Sequence, residues 1–77
     1  MTRRLKIGVV GAGIGASHIE GYQALPDMYE VVSLCDINDA RREEVAAQYG
    51  IASQDAQFED LLSRDLDFVD ICTPSGL

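Results

Sequence analysis

Basic side chains are scarce in this sequence: six Lys and Arg stand against 13 Asp and Glu over 77 residues, a formal charge of −7. Counterion release from a nucleic acid backbone needs the opposite balance, which argues against nucleic acid as a partner. No polybasic stretch suits an anionic membrane surface, and no run approaches the roughly 18 apolar residues of a membrane span. Cysteine is nearly missing too. Cys35 and Cys72 are too few and too far apart for a disulfide framework or a zinc ribbon, so no metal site is expected. Both lie in apolar strand-like runs and read as buried, reduced thiols in a cytoplasmic protein. Two prolines, no low-complexity tract and no repeat, with 47% hydrophobic residues, describe a globular segment rather than a disordered one. The length allows one domain at most, burying only about 60% of its unfolded surface.

Glycine, in contrast, is concentrated. Leu5 to Val10 is a short apolar run that stops at Gly11 and reads as a buried parallel strand, followed by Gly13 and Gly15. Helical spacing then runs from Ile14 to Leu25, with Ile19, Tyr22 and Leu25 in step, until Pro26 ends it. Tyr29 to Cys35 is a second strand. Asn38 or Asp39 caps a helix whose first turn carries Glu43 and Glu44, whose apolar side is Val45, Ala46 and Tyr49, and which Gly50 stops. Residues 51–54 suggest a third, very short strand. Residues 57–64 suggest a helix with Phe58, Leu61 and Leu62 inward, and Asp67 to Pro74 a last strand. The order β-α-β-α-β-α-β is that of a Rossmann-like, doubly wound parallel α/β sheet, with strand order 3-2-1-4 and a ligand site beside the glycine turn.

The glycines fit the requirements of a dinucleotide loop. Gly11 allows the sharp turn, Gly13 lets the backbone approach a pyrophosphate, and Ala16 takes the third, helix-packing place in G-x-G-x-x-G/A, with Gly15 an extra small residue. Amides near Ile14 and Gly15 are expected to open the helix and face the phosphates. Asp36 follows Gly13 by 23 residues at the end of the second strand, where a carboxylate accepts both hydroxyls of an adenosine ribose. Its charge would repel a 2′-phosphate by roughly 1 to 4 kcal/mol. NAD is therefore favoured over NADP, with Arg41 or Arg42 able to fold back and soften the preference. His18 has no visible acid partner and reads as a positioning or packing residue. Asp70 reads as a residue at a sheet margin.

With those residues placed, the chain resembles the N-terminal region of the Gfo/Idh/MocA family of NAD(P)-dependent oxidoreductases, from about Lys6 to Leu77. "KIGVVGAGIGASH" is similar to that family's first strand, glycine loop and histidine, and "EVVSLCDINDARREEVAAQYGI" to its second strand, acidic residue and helix. "FEDLLSRDLDFVDICTPSG" resembles its third helix and the strand ending in Thr-Pro. The resemblance implies that Gly11, Gly13, Ile14 and Gly15 contact the pyrophosphate, Asp36 the ribose, and that Arg41 lies near the adenine. It places Thr73 and Pro74 on a loop beneath the cofactor. The glycine loop departs from the pattern, since only Ile14 separates Gly13 from Gly15. Family members act mostly on sugars, sugar nucleotides and cyclitols, and continue into a Glu-Lys-Pro motif and a β-rich domain for substrate and oligomerisation. Neither occurs within residues 1–77, so these are expected to be the N-terminal portion of a dinucleotide-binding domain, with no catalytic residue of their own. The complete protein is expected to be a homo-oligomer acting on a small molecule.

Three other owners of the glycine pattern remain open. A methyltransferase module for S-adenosylmethionine shares the G-x-G-x-G loop, although Val9 stands where those enzymes usually carry an acid. A nucleotide-sensing or interaction module without activity needs no catalytic motif. Arg3 and Arg4 ahead of an apolar stretch resemble an export signal, but no A-x-A cleavage site follows.

Overall fold

A computed structural model describes residues 3–72 of the chain. Thr73 and Pro74, expected beneath the cofactor, lie outside the described residues. Strands β1 (Leu5–Val10), β2 (Tyr29–Cys35), β3 (Ser53–Asp55) and β4 (Phe68–Ile71) alternate with helices α1 (Ala12–Gln23), α2 (Asp39–Tyr49) and α3 (Phe58–Leu62). All strand pairs are parallel, and the sheet order is β3-β2-β1-β4. This is the doubly wound α/β order that the alternation of short apolar runs and helical segments predicts.

The pleat of β1 sorts its side chains between two layers. Ile7 and Val9 are fully buried and join Ala12, Ile19, Leu34, Val45 and Ala46 in one core beneath α1 and α2. Burying each large aliphatic side chain there contributes about 1.5–3 kcal/mol. Gly8 faces the other way: Leu66 Cδ1 and Leu61 Cδ1 stand 2.8 and 2.9 Å from where its Cβ would lie. A side chain at Gly8 would push α3 and the following loop off the sheet.

Beyond small shifts in β3 and β4, the boundaries of α1 and α3 differ from the sequence reading for local reasons. α1 opens at Ala12 rather than Ile14, because Gly11 completes the turn alone with φ 99°. It closes at Gln23, where the Ala24 amide returns to Glu20 and the chain turns through Leu25, leaving that side chain exposed. α3 is five residues long, so only Leu61 faces the sheet, and Phe58 and Leu62 are exposed rather than inward. α2 follows expectation at both ends: Asn38 accepts from the Arg41 amide at 3.0 Å, and Gly50 ends it at φ 68°. Its first-turn acid is Asp39, with Glu43 and Glu44 further along.

Two ion pairs fasten the periphery. Ser33 and Arg64 both donate to the buried Asp55 carboxylate at 2.7–3.0 Å, joining β2, β3 and the loop after α3. The Arg64 guanidinium, helped by Ser33, holds the Asp55 carboxyl below the usual range against the effect of burial. Arg3 grips Asp67 with two bonds of 2.8 Å, and the Lys6 amide donates to the same carboxylate. Together they hold Asp67 down at about 2. Among the described residues, no helix is long and apolar enough to cross a membrane.

Candidate nucleotide-binding site

The carboxyl ends of β1 and β2 meet the amino end of α1 at one corner. The Gly11 amide donates to Cys35 O at 2.8 Å, locking the glycine turn to the end of β2. Asp36 then uses both carboxylate oxygens: Oδ2 accepts from the Ala12 amide and Oδ1 from the Asn38 amide, each at 2.8 Å. Its own amide donates to Asp55 O, and Arg42 Nη1 donates to its carbonyl. Asp36 is thus a fixed brace between the glycine turn and the start of α2. Each of its oxygens keeps a further lone pair for a ligand.

Of the first amides of α1, Ala12 is engaged by Asp36 and Gly15 donates back to Gly11 O at 2.9 Å. No described residue accepts from the amides of Gly13 and Ile14, and both residues are exposed. The opening amides therefore fall one residue earlier than the expected Ile14 and Gly15. Gly15 has a different task from a loop glycine. A Cβ on it would stand 2.8 Å from Val9 Cγ1, so it is Gly15, rather than Ala16, that admits α1 closely against β1.

Arg41 reaches across this corner, with Nη1 3.6 Å from the Cβ position of Gly13. The other described arginines and Lys6 each have a carboxylate within 4.0 Å, whereas among the described residues none lies that close to Arg41. Arg42, by contrast, is held by Asp36 O, Asp39 and Gln54 and is not free to fold back. Beside Asp36 opens a cavity of about 240 Å³ lined by Val10, Gly11, Cys35, Asp36, Ile37, Ala56 and Phe58. Ile37 is 84% exposed and Phe58 40%, so two apolar side chains flank an otherwise open slot. The sequence pattern marks neither Ile37 nor Ala56 for this slot and turns Phe58 toward the core instead. The only available signal was the apolar residue directly after Asp36. A larger cleft, about 440 Å³, lies at the opposite end of β2 among Arg4, Gln23 and Gly50, away from the glycine corner.

A second polar cluster lies on the other side of α1. His18 Nδ1 is 2.7 Å from Asp70 Oδ2, Tyr22 donates to the same oxygen at 2.7 Å, and Cys72 Sγ lies 3.2 Å from His18 Nδ1. The reading of His18 as lacking an acid partner and of Asp70 as a plain margin residue is therefore corrected: they are partners. The carboxylate can only accept, so Nδ1 carries the proton. Burial resists ionisation of Asp70, but bonds from Tyr22, His18 and Cys72 outweigh it and keep the carboxyl below its ordinary range. Burial, with the neighbouring Asp70, pushes the Cys72 thiol up to about 12 and raises the Tyr22 phenol.

Comparison with known proteins bears on this geometry. The family model described as "Oxidoreductase family, NAD-binding Rossmann fold" (GFO_IDH_MocA) matches residues 5–77. No curated protein sequence matches the chain. Among solved structures, the WlbA dehydrogenase of Chromobacterium violaceum, in complex with NADH and UDP-GlcNAcA, is 30% identical over 100% of this chain, with a TM-score of 0.89. The WlbA dehydrogenase of Bordetella pertussis, with the same two ligands, is 30% identical over 96% of the chain, with a TM-score of 0.85. The scyllo-inositol dehydrogenase of Lactobacillus casei, with NAD(H) and scyllo-inositol, is 25% identical over 96%, with a TM-score of 0.83. The chain spans 23%, 23% and 22% of these proteins' lengths. The methyltransferase and interaction-module readings find no support in these matches.

Proposed function

The chain belongs to the Gfo/Idh/MocA oxidoreductase family and carries its NAD-binding Rossmann fold, and from that premise we propose that the corner at Gly11–Gly15 and Asp36 holds the adenosine and pyrophosphate of NAD. The observation that carries the reading is the Asp36 brace, because its bond to the Ala12 amide fixes a ribose acceptor against a phosphate cradle. The unengaged amides of Gly13 and Ile14 donate to phosphate oxygens, favoured by the positive end of α1. Arg41, with no carboxylate within 4.0 Å among the described residues, adds a guanidinium to the corner. The slot between Ile37 and Phe58 accepts the flat adenine ring, and the Asp36 carboxylate disfavours a 2′-phosphate. Thr73 and Pro74 follow Cys72 directly and are assigned to the loop beneath the cofactor.

When bound, the nicotinamide supplies hydride exchange with a hydroxyl-bearing carbon. The residues described contribute binding and orientation only, and no catalytic residue is assigned among them. We propose that residues 1–77 are the N-terminal portion of the dinucleotide-binding domain. Substrate recognition, with a sugar, sugar-nucleotide or cyclitol as the substrate class, and the homo-oligomer interface are assigned to the part of the relatives that this chain does not cover. A cytoplasmic setting, with its NAD pool, suits that role.

Titration of the purified chain with NADH, NADPH and S-adenosylmethionine tests the reading. Saturable binding is expected for NADH, weaker binding for NADPH, and none for the third ligand. Asp36→Ala should weaken NADH binding at least tenfold, a change of about 1.4 kcal/mol. Binding of S-adenosylmethionine alone, or NADH affinity unchanged by Asp36→Ala, would overturn it.

A further inference from the structure

We propose that His18, Asp70 and Cys72 form a site for a divalent cation of the borderline-soft class, with Zn²⁺ as its natural occupant. His18 on α1 lies 52 and 54 positions from Asp70 and Cys72 at the end of β4, yet one ligand atom from each of the three lies within 4.8 Å of the other two. Imidazole nitrogen, carboxylate oxygen and thiolate sulfur are the donor types that Zn²⁺ takes in three-ligand sites with an open fourth position. His18 supplies that opening, since its side chain is 45% exposed, whereas Asp70 and Cys72 are set deeper. A cleft of about 370 Å³ lined by His18, Tyr22 and Tyr29 gives solvent a route to the cluster.

Tyr22 completes the arrangement. Its hydroxyl donates to Asp70 Oδ2 at 2.7 Å, the kind of outer hydrogen bond that fixes a ligating carboxylate in place. Bonds of about 2.0–2.3 Å around a tetrahedral ion separate its donors by roughly 3.3–3.7 Å. The present separations, 2.7 Å from Nδ1 to Oδ2 and 3.2 Å from Nδ1 to Sγ, must open by about half an ångström, which the partly exposed His18 can supply by rotation. The cation takes the place of the proton now shared at Nδ1. That proton is carried instead on Nε2 of the neutral imidazole, Asp70 is already a carboxylate, and the Cys72 thiol proton leaves to water, so binding releases one proton.

Two cysteines make the test specific. Titrating the purified chain with Co²⁺ should give saturable one-to-one binding with tetrahedral ligand-field bands and a thiolate-to-cobalt charge-transfer band, both removed by added Zn²⁺. Cys72→Ser should abolish the charge-transfer band while Cys35→Ser retains it. His18→Gln, on the partly exposed residue, should weaken binding at least tenfold, and Tyr22→Phe by about tenfold. Circular dichroism of each variant separates lost binding from lost folding, and Zn²⁺ should raise the Tm of the unaltered chain. Absence of a thiolate band at saturating Co²⁺, or binding unchanged in folded His18→Gln, overturns the proposal.

Discussion

The two flanks of β1 carry polar clusters built in opposite ways. Toward β2, the glycine corner is made mainly of backbone: the Ala12 and Asn38 amides on Asp36, the Gly11 amide on Cys35 O, and open amides at Gly13 and Ile14. Toward β4, the cluster is made of side chains, with His18 and Tyr22 on one carboxylate oxygen of Asp70 and Cys72 beside them. The turn at the centre of the first is local to the glycines, and the pairing of β1 with β2 brings Cys35 and Asp36 to it. The second exists only because β4 pairs in register with β1, placing Asp70 opposite Val9 and beneath α1. A backbone site tolerates side-chain change except where a glycine or a bracing acid is replaced. A side-chain site is lost with any one of its members.

Glycine substitutions should break this comparison most sharply. Gly15→Val places atoms against fully buried Val9 and should destabilise the chain by about 3 kcal/mol, read as a lowered denaturation midpoint. Gly13→Ala meets only Arg41 Nη1 at 3.6 Å, so stability should stay within about 0.5 kcal/mol while NADH binding falls about tenfold. Equal stability losses in the two variants would mean that the glycines do not divide their work as described.

The acids come next. Asp36→Ala strips two amides of their acceptor and should cost about 1–3 kcal/mol of stability together with NADH affinity. Asp70→Asn should cost about 1–2 kcal/mol and leave NADH affinity unchanged, because its partners lie on the other flank. An NADH defect in Asp70→Asn would show that the flanks are coupled.

Acid sensitivity should be smaller and shared by both edges of the sheet. The folded carboxyls of Asp55, Asp67 and Asp70 lie below their unfolded values, so their stabilisation is complete above the unfolded value of about 3.9. It is lost as pH falls through the folded values, about 2 for Asp67. Urea midpoints measured down the acid limb should show Asp55→Asn less stable at neutral pH and less steep below about pH 4 than the unaltered chain. Parallel curves would remove Asp55 from the acid response. Arg41→Ala should have the smallest effect: stability within about 0.5 kcal/mol, and NADH binding weakened about threefold, a loss that shrinks as salt rises.

Most of the fold was legible because it rests on local patterns. The bounds of β1 and β2, a cap at Asn38 or Asp39, the Gly50 stop and the sheet order all follow from short apolar runs and their punctuation, and the structure settles the cap as Asn38. The errors fall where length or approach decides. Five residues of α3 can turn only Leu61 inward, and the tight packing of α1 on Val9 assigns to Gly15 the place expected of Ala16. The meeting of Gly11, Gly13 and Asp36 at one corner is what their spacing predicts. Spacing does not predict the unengaged state of Arg41 among the described residues or the apolar slot of Ile37 and Phe58, since both depend on what neighbouring elements leave uncovered.

The sequence by itself determined the alternation of strands and helices, the glycine turn and the acid at the end of the second strand, because each is specified by residues close together in the chain. Only the tertiary structure decided that Asp36 braces the turn, that Gly13 and Gly15 serve different ends, and that His18 meets Asp70 and Cys72. Those contacts join residues whose separation in sequence is set by the sheet, and no local pattern encodes the distance between two strands until they are paired.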